Sequence, residues 1–392
     1  MRKPLILLAA LAGLAALTML LAGCGSRSSG HQARYQKQIV IGWTPPDITG
    51  VFKTATDYFD KAAADANKHG FNVKVLSRAP VSHTAFADQV AIVEDYISQK
   101  VDVIAISPAD TEALKPAIRA ANQAGIPVIM VNLLEPQKDV KIASYIGFDN
   151  TAAAAVSGYA TLDYFGGPGV LGTGPKVKVS PNQPLDLKWW EKVYAKADWK
   201  APKATGAIIQ GIAGTFFSQA RLDGYHSVLD KDPNIKIVGP NPPLAADWNR
   251  EKAITATETL LTRYPGQLNF IWAASNEMGL GAMLTLQRHD VLDSSGGNTP
   301  PQPGKVAVFT NDNTPESNVA INAGNIIAET EHGFPYWGWF GTKFAVMIAC
   351  GEEVPQMYDI DPQTVWKGNT TLFYPTPKLP PIDWNTIKTQ SK

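Results

Sequence analysis

Short apolar runs alternate with amphipathic helical stretches along most of the chain. In the first part the runs read QIVIGW, FNVKVL, VDVIAIS and IPVIMVN, and residues 54–68, 86–99 and 110–123 between them have helical spacing of their apolar positions. The runs are apolar on both faces, which is typical of parallel strands covered by helices on both sides. The sequence therefore predicts a parallel sheet with strands and helices in alternation.

The same alternation returns after an interruption. A strand, ASYIGFDN, and a helix over 151–165 lead into residues 166–205, which are rich in Gly, Pro and Trp and contain one short helical stretch, LDLKWWEKVYAKADW. The strands GAIIQG, IKIVG, LNFIWAA and KVAVFTN then alternate with helices over 217–229, 250–262 and 277–287. A helix over 341–349 and the strand-like NTTLFY follow. Since 392 residues exceed what one core usually supports, we predict an α/β protein with two doubly wound parallel-sheet lobes.

The N-terminal sequence predicts export. Met1-Arg2-Lys3 precedes an apolar stretch over 5–22, a pattern typical of a secretory signal, although its length is also close to that of a membrane span. The stretch ends in Leu-Ala-Gly-Cys, which resembles the lipobox of bacterial lipoproteins and so implies a signal peptide over 1–23 and lipid on Cys24. Residues 24–37 are polar and predict a flexible tether. The expected location is the bacterial cell envelope, with the protein exported and lipid-anchored in the periplasm or on the outer face of the cytoplasmic membrane.

Charge and motifs argue against several classes of protein. The 35 basic and 35 acidic residues cancel, which gives no electrostatic argument for nucleic acid. HExxH, CxxC and GxSxG motifs are absent and the six histidines are scattered, so the sequence predicts no enzyme, no cofactor and no metal site. GPGVLG at 167–172 matches a dinucleotide-binding pattern, but it follows a helix and runs into Pro175 instead of joining a strand to a helix. Cys350, within KFAVMIAC, is expected to be a buried thiol.

The layout alone predicts where a ligand binds. Open parallel sheets bind ligands beyond the carboxyl ends of their strands, and two facing sheets place those loops around one cleft. The loops selected are 43–52, 132–135, 211–217, 245–248, 275–276, 311–314 and the stretch near His332. The GIAGT sequence in the third loop lacks the Lys-Ser/Thr of a phosphate loop, so it predicts a tight strand-to-helix turn.

Motifs in both halves, in this order and spacing, resemble those of the periplasmic sugar-binding proteins of ribose and galactose ABC importers. GFNVKVL, ANQAGIPVIMVN and IGFDN are similar to first-lobe motifs of that family, and QGIAGT…ARLDGY, AADW, SNEMGLGA and NDNTPE to second-lobe motifs. The resemblance spans about residues 38–374 and implies the type I periplasmic binding protein fold, with a three-crossing hinge near 147–149, near 332–333 and near the C-terminus. The implied lobes are 38–148 plus 333–362, and 149–332 plus 363–392.

The resemblance also implies ligand contacts. Arg221 and Asp312 would bind sugar hydroxyls, Trp248 would stack on the sugar ring, and Asn132 would add a polar contact from the first lobe. Phe52 would be the opposing aromatic. These residue types suit a sugar, because aromatic rings cover its C–H faces while Arg, Asp and Asn make directional hydrogen bonds to its hydroxyls. Arg221 facing Asp312 would leave neither charge unpaired in an empty site.

Four further positions complete the expected site or modify it. Ser275 and His332 stand where the family usually has an amide side chain. Trp43 and Asp47, in the first strand-end loop, are additional candidate contacts. Leu133 stands where ribose binders have an arginine, which argues against ribose as the ligand.

Three functions remain open at this point. The first is a monomeric, lipid-tethered receptor that closes on a small-molecule sugar or polyol and delivers it to the membrane permease of an ABC importer. The second is a sensor that presents its closed form to a membrane signalling protein, and the third is a hydrolytic enzyme, which would consume its substrate. Sugar-responsive repressors share these lobes but need an N-terminal DNA-binding segment, where the lipobox-like sequence stands. Trp189, Trp190 and Trp199 are expected to cover an edge of the second lobe, or alternatively to contact a partner or narrow the pocket mouth.

Overall fold

The computed structural model describes residues 37–180, 182–196, 203–297, 301–375 and 377–387. The predictions for residues 1–36, including lipidation of Cys24, and for Trp199 lie outside these ranges. Within the described ranges, no helix is both long enough and apolar enough to cross a membrane.

The N-terminal half forms one parallel sheet covered by helices. Its elements are β1 (Ile39–Thr44), α1 (Gly50–Lys68), β2 (Val73–Ser77), α2 (Phe86–Ser98), β3 (Val103–Ile106), α3 (Thr111–Gln123), β4 (Val128–Val131) and β5 (Ser144–Gly147). These strands lie in the order β5-β4-β3-β1-β2, and every pairing among them is parallel. β3, β4 and β5 are buried along their whole length, as expected of strands with helices on both faces. This sheet and its helices are called the first lobe.

A second sheet follows with a similar layout. The remaining elements are α4 (Asn150–Tyr164), α5 (Leu187–Tyr194), β6 (Ala204–Gln210), α6 (Phe216–Leu229), β7 (Ile235–Val238), β8 (Leu244–Ala245), α7 (Arg250–Arg263), β9 (Phe270–Ala273), α8 (Asn276–Arg288), β10 (Ala307–Asn311), α9 (Pro315–Ala323), β11 (Ala328–Glu331), α10 (Phe334–Ala349), β12 (Met357–Asp359), β13 (Gln363–Trp366) and two 3-10 turns, Thr370–Leu372 and Trp384–Thr386. The second sheet has the order β13-β11-β10-β9-β6-β7, with β8 beside β6, and only the β11–β13 pairing is antiparallel among the described strands. This sheet and the helices α4 to α9 are called the second lobe. α10 and β12 pack on the first lobe. The predicted α/β architecture with two parallel-sheet lobes is confirmed.

Within the described residues, the chain passes between the two sheets four times, once more than the resemblance implies. β5 in the first sheet leads to α4 on the second, β11 in the second leads to α10 on the first, and β12 beside β5 leads to β13 beside β11. The fourth passage follows the 3-10 turn at Thr370–Leu372, because Ile382, Trp384 and Ile387 pack into the core of the first lobe. The Trp384 Nε1–H donates to Asp65 of α1 at 2.7 Å. Assignment of all of residues 363–392 to the second lobe is therefore wrong for this last segment.

Two predicted elements differ from the structure. α10 begins at Phe334 instead of 341, because Gly333 adopts a left-handed φ of 69° that starts the helix and Pro335 is tolerated in its first turn. NTTLFY is a 3-10 turn and not a strand. There the Asn369 side chain accepts from the Trp366 N–H and donates to the Thr364 carbonyl, at 2.8 and 2.9 Å, so it closes a turn immediately after β13.

The described part of the insert at 166–205 covers the β13 edge of the second sheet. Trp190 on α5 is fully buried and donates from Nε1 to Thr364 Oγ1 at 2.9 Å. The Thr364 N–H donates to the Leu185 carbonyl at 3.0 Å, which extends the pairing beyond β13. These contacts support the edge-covering interpretation for Trp190, and the described part of the insert does not line the cavity described below.

The GPGVLG segment wraps around a buried carboxylate. Asp163 of α4 accepts from the Val170 and Leu171 N–H groups at 2.8 and 2.7 Å. Burial raises the pKa of Asp163 to about 6, and these two N–H groups oppose that shift. The glycines serve close packing, since a Cβ on Gly169 would lie 2.3 Å from an Asp163 carboxylate oxygen. The segment is a tight turn and not a dinucleotide loop.

Gly224 of α6 allows the closest helix–helix approach in the second lobe. A Cβ at this position would lie 2.0 Å from the Thr151 carbonyl oxygen of α4. Gly224→Ala is therefore expected to push the two helices apart and lower the free energy of unfolding by about 1 to 3 kcal/mol, measured by urea denaturation. Asp223→Ala, an exposed neighbour on the same helix, serves as the control and should change stability by less than about 0.5 kcal/mol. Equal stability of the two variants would contradict the argument.

Candidate functional site

A cavity of about 60 Å³ lies between the carboxyl ends of the two sheets. Phe217 and Trp248 of the second lobe pack against apolar side chains of the first, so the lobes are in contact around it. The first lobe contributes Asp47, Thr49, Phe52, His83, Asn132 and Trp337 to its wall, and the second contributes Phe217, Arg221, Trp248, Ser275, Glu277 and Asp312. The wall thus combines aromatic rings with directional polar groups from both lobes.

Arg221 and Asp312 form a buried, bidentate ion pair in this wall. Nη1 donates to Oδ2 at 2.7 Å and Nη2 donates to Oδ1 at 2.9 Å, with both side chains less than a tenth exposed. Two more guanidinium N–H groups are also used, because Nε donates to Asn150 Oδ1 at 3.1 Å and Nη1 also donates to the Ala274 carbonyl. Burial raises the pKa of the Asp312 carboxyl, and the Arg221 guanidinium and the more distant His83 oppose that shift. The pair is therefore held in one geometry and contributes no net charge to the cavity.

Three residues of the wall have strained backbones. Asn132, Trp248 and Asp312 adopt φ values of 64°, 61° and 76°, in the left-handed region that favours glycine. Each follows a strand, and the turn at that point directs the side chain into the cleft. Non-glycine residues in this region cost about 1 to 3 kcal/mol each and concentrate at functional sites, so their clustering here makes the cavity the candidate site.

The GIAGT turn packs against Trp248. A Cβ on Gly211 would lie 2.1 Å from the Trp248 indole, so only glycine lets the ring lie flat against this turn. The Arg221 guanidinium carbon lies 5.3 Å from the centre of the same indole, within range of a cation–π contact. The turn therefore positions an aromatic platform and starts the helix that presents Arg221, which agrees with the predicted strand-to-helix turn.

Three polar atoms of the wall are buried without a hydrogen-bond partner. They are Asn132 Oδ1 and Trp337 Nε1 from the first lobe and Ser275 Oγ from the second. Asn150 Nδ2, on the amide that accepts from Arg221, is likewise unpaired. Leaving such groups unpaired costs about 1 to 3 kcal/mol each, so this wall is built to be completed by a polar molecule.

Most of the predicted site residues meet at this cavity. Asp47, Phe52, Asn132, Arg221, Trp248, Ser275 and Asp312 line it. Two do not. Trp43 points to the α1 side of the first sheet, where it is fully buried, stacks on Phe59 at 4.6 Å and donates from Nε1 to Thr56 Oγ1 at 2.8 Å.

His332 lies behind the cavity wall. It is fully buried against Phe148, with Nδ1 at 3.4 Å from Asp312 Oδ1. Burial and the nearby Arg221 charge lower its pKa well below the usual value, so the imidazole is neutral. His332 thus lies beside Asp312 at the hinge, with both ring nitrogens lacking a hydrogen-bond partner, and it does not line the cavity.

In the part of the chain that the structure describes, no cluster of three or more His, Cys, Asp or Glu side chains is arranged to hold a metal ion. Cys350 is a buried free thiol, as predicted.

The comparison with known proteins agrees with this geometry. A model of the periplasmic binding protein domain matches residues 41–353. The chain belongs to the periplasmic binding protein family. The ribose import binding protein of Escherichia coli is 27% identical over 308 residues, which cover 79% of this chain and 84% of that protein. The fructose import binding protein of Bifidobacterium longum is 26% identical over 357 residues, 91% of this chain and 92% of that protein. An ABC transporter solute-binding protein of Actinobacillus succinogenes with bound D-allose has the same fold, with a TM-score of 0.67, 22% identity and coverage of 86% of this chain and 100% of that one.

Sequence reasoning missed His83, Glu277 and Trp337, which are polar or aromatic residues of this periplasmic binding protein's cavity, and also Pro108 and Ala109. His83 follows β2 and therefore obeys the same strand-end rule that selected the other loops, so the signal was present but not used. Glu277 opens α8 directly after the predicted Ser275–Asn276 loop, and its carboxylate lies close to Gly50 at the start of α1. Trp337 lies in the first turn of α10, the part of that helix that the sequence did not predict. No sequence signal distinguishes it from a core tryptophan.

Asp47 and His83 form a second polar pair, on the first-lobe side. His83 Nε2 and Asp47 Oδ2 lie 2.9 Å apart, and the Asp47 carboxylate also accepts from the N–H and the hydroxyl of Thr49 at 3.0 and 2.9 Å. Burial alone would raise the pKa of Asp47, but the contacts with His83 and Thr49 outweigh it and the pKa is lowered. Asp47 is therefore an anion that holds the His83 ring in place.

Proposed function

We propose that this chain is the extracytoplasmic solute-binding component of an ABC importer, and that it captures one neutral sugar or polyol between its lobes. The observation that carries the proposal is the pair of buried, unpaired atoms, Asn132 Oδ1 and Ser275 Oγ, on opposite lobes of one cavity. A polyhydroxylated ligand supplies hydroxyls to both atoms at once. Bridging in this way favours the closed arrangement by population shift.

The composition of the wall supports a neutral ligand. Among the described residues of the wall, Arg221 pairs with Asp312, Asp47 interacts with His83 and Glu277 pairs with Arg250, so none of these charges calls for an acid or an amine. Phe52 and Trp248 offer rings for the C–H faces of a sugar, and the Arg221–Asp312 pair offers donors and acceptors to hydroxyls. The similarity to ribose and fructose import binding proteins points the same way.

The size of the cavity supports a small ligand. A space of about 60 Å³ accommodates on the order of five water-sized groups, since each needs about 10 to 15 Å³. This favours a monosaccharide or a small polyol over a disaccharide.

The remaining assignments complete the proposal. The protein acts as a monomer, with the lobes 38–148 plus 333–362 and 149–332 plus 363–381 closing about the crossings near Gly147 and Gly333. Residues 1–23 direct export and are removed, Cys24 carries lipid, and the tether leaves both lobes free to dock to a membrane permease. The relatives are binding proteins, which argues against the hydrolytic alternative.

The test uses the chain without residues 1–24 and a thermal-shift panel of neutral monosaccharides, polyols, disaccharides, sugar acids and amino sugars. A ligand at a hundred times its Kd stabilises the folded state by about 2.7 kcal/mol, which gives a clear rise in Tm. We expect one neutral monosaccharide or polyol to give that rise and to be recovered chemically unchanged by NMR. A shift only with charged sugars, no shift at all, or consumption of the ligand would contradict the proposal.

A further inference from the structure

His83 is mostly buried, although it lies in a loop. It lies in the loop after β2, at the edge of the first sheet, and its side chain is only 18% exposed. Asp47 holds Nε2 at 2.9 Å, and the ring of Phe52 lies 5.7 Å from the imidazole. The imidazole is therefore fixed in place at the cavity wall.

His83 lines the cavity together with residues of the second lobe. His83 lines the same cavity as Asp312 and is close enough to oppose the rise of the Asp312 pKa. Among the described residues, its recorded polar contact is Asp47, and no hydrogen bond joins it to the second lobe. The space between these groups is the space a ligand would fill.

The His83–Asp47 pair is suited to form a hydrogen bond with a hydroxyl group. Because Asp47 is an anion, Nε2 carries the hydrogen that it donates to the carboxylate, and Nδ1 is left to accept from or donate to another group. Ile48 and Val81, next to these residues along the chain, are 56% and 90% exposed. The pair therefore lies at the rim of the cavity, where it would contact one end of a bound molecule.

We propose that His83 is a specificity-determining contact of the binding site and that it recognises one hydroxyl at the rim end of the ligand, with Asp47 as its positioning residue. This inference rests on the proposed function. A site built to hydrogen-bond a hydroxyl rejects the analogue that lacks it, because its own polar groups are then left unpaired.

The test measures Kd by calorimetry for D-ribose, D-fructose, D-allose and xylitol, and then for the monodeoxy derivatives of whichever binds most tightly. His83→Ala should weaken the parent compound about ten- to a hundredfold, and should bind one monodeoxy derivative as well as the wild type does. Asp47→Asn should weaken the parent similarly, and the Asp47→Asn/His83→Ala double variant should cost little more than either single change. His83→Asn, which keeps a donor, should recover part of the affinity and guards against misfolding of the alanine variant.

His226→Ala is the matched control. His226 pairs with Asp230 at 3.0 Å on α6, away from the cavity, so its removal deletes the same kind of pair without touching the site. Unchanged Kd in folded His83→Ala and His83→Asn, or an equal loss for the parent and all its monodeoxy derivatives, would overturn the role of His83 while the wild type still binds. Failure of the wild type to bind any of the four compounds would overturn the inference and would count against the proposed function as well.

Discussion

Arg221→Ala is expected to weaken sugar or polyol binding by about 3 kcal/mol or more, roughly a hundredfold or greater in Kd. The guanidinium lines the cavity, and it fixes Asp312 in the orientation that a ligand would meet through two hydrogen bonds at 2.7 and 2.9 Å. Alanine removes both the direct donor and that orientation. Calorimetry with the compound identified by the thermal-shift panel measures the loss.

The same change should also destabilise the empty protein. It leaves the Asp312 carboxylate buried without its counter-charge, which typically costs about 3 to 5 kcal/mol. Because burial already raises the pKa of Asp312, protonation at low pH should recover part of that loss. Urea denaturation at pH 7 and pH 5 measures both quantities.

Two variants separate binding from stability. Arg221→Ala/Asp312→Asn removes both charges, so it should regain stability but not affinity. Arg263→Ala, an exposed arginine at the end of α7, should change neither. Wild-type affinity in a correctly folded Arg221→Ala protein would remove Arg221 from the site.

The second large effect is a pH dependence of the free energy of unfolding that Glu331 causes. Its carboxyl is buried at the hinge, where Oε1 accepts from the Gly333 N–H at 2.8 Å and Oε2 has no partner. Burial raises its pKa from 4.5 to about 8, and the nearby Asp312 charge adds to the shift. In the unfolded chain the carboxyl would ionise near its ordinary pKa. Between these two values the folded state binds the extra proton, so the free energy of unfolding falls as pH rises from about 4.5 to about 8.

This one group should lower the free energy of unfolding on the order of 4 to 5 kcal/mol across that window. Glu331→Gln is uncharged and keeps an acceptor for the Gly333 N–H, so it should flatten the slope and raise stability at pH 8 relative to wild type. A smaller slope remains, because burial also raises the pKa of Glu329. Glu94→Gln, at an exposed position of α2, is the control and should follow the wild-type profile. Parallel profiles for wild type and Glu331→Gln would refute the assignment.

The sequence predicts the parts of the fold that follow hydrophobic patterning. The strands β1 to β4 and helices such as α6 and α7 lie within one or two residues of their predicted bounds, because each has an apolar face that must be buried. β11 has no such signal. It reads Ala-Glu-Thr-Glu and yet is buried throughout, and Glu329 and Glu331 each accept a hydrogen bond from within the protein. Tertiary context decides such a segment, and no local pattern contains that information.

The site is predictable to the level of its loops and not to the level of each side chain. The strand-end rule selects the loops of Asn132, Trp248 and Asp312, and the structure brings these residues together. It cannot tell which side of a strand a residue faces, which is why Trp43 belongs to the core instead. It also cannot tell how deep a residue lies, which is why His332 stands behind Asp312.

Because of the fourth passage between the sheets, the two ends of the described chain lie on the same lobe. An odd number of passages leaves the two ends on different lobes, whereas an even number returns the chain to the lobe where it began. The described chain starts beside β1, with Lys37 paired to Asp102, and its last described residue, Ile387, packs in the core of that same lobe. Along the chain, the second lobe therefore lies between segments that belong to the first. Fluorophores attached near Lys37 and Ile387 would therefore both report on the first lobe, and a probe of the proposed closure needs one label in the second lobe, for example on the exposed face of α7.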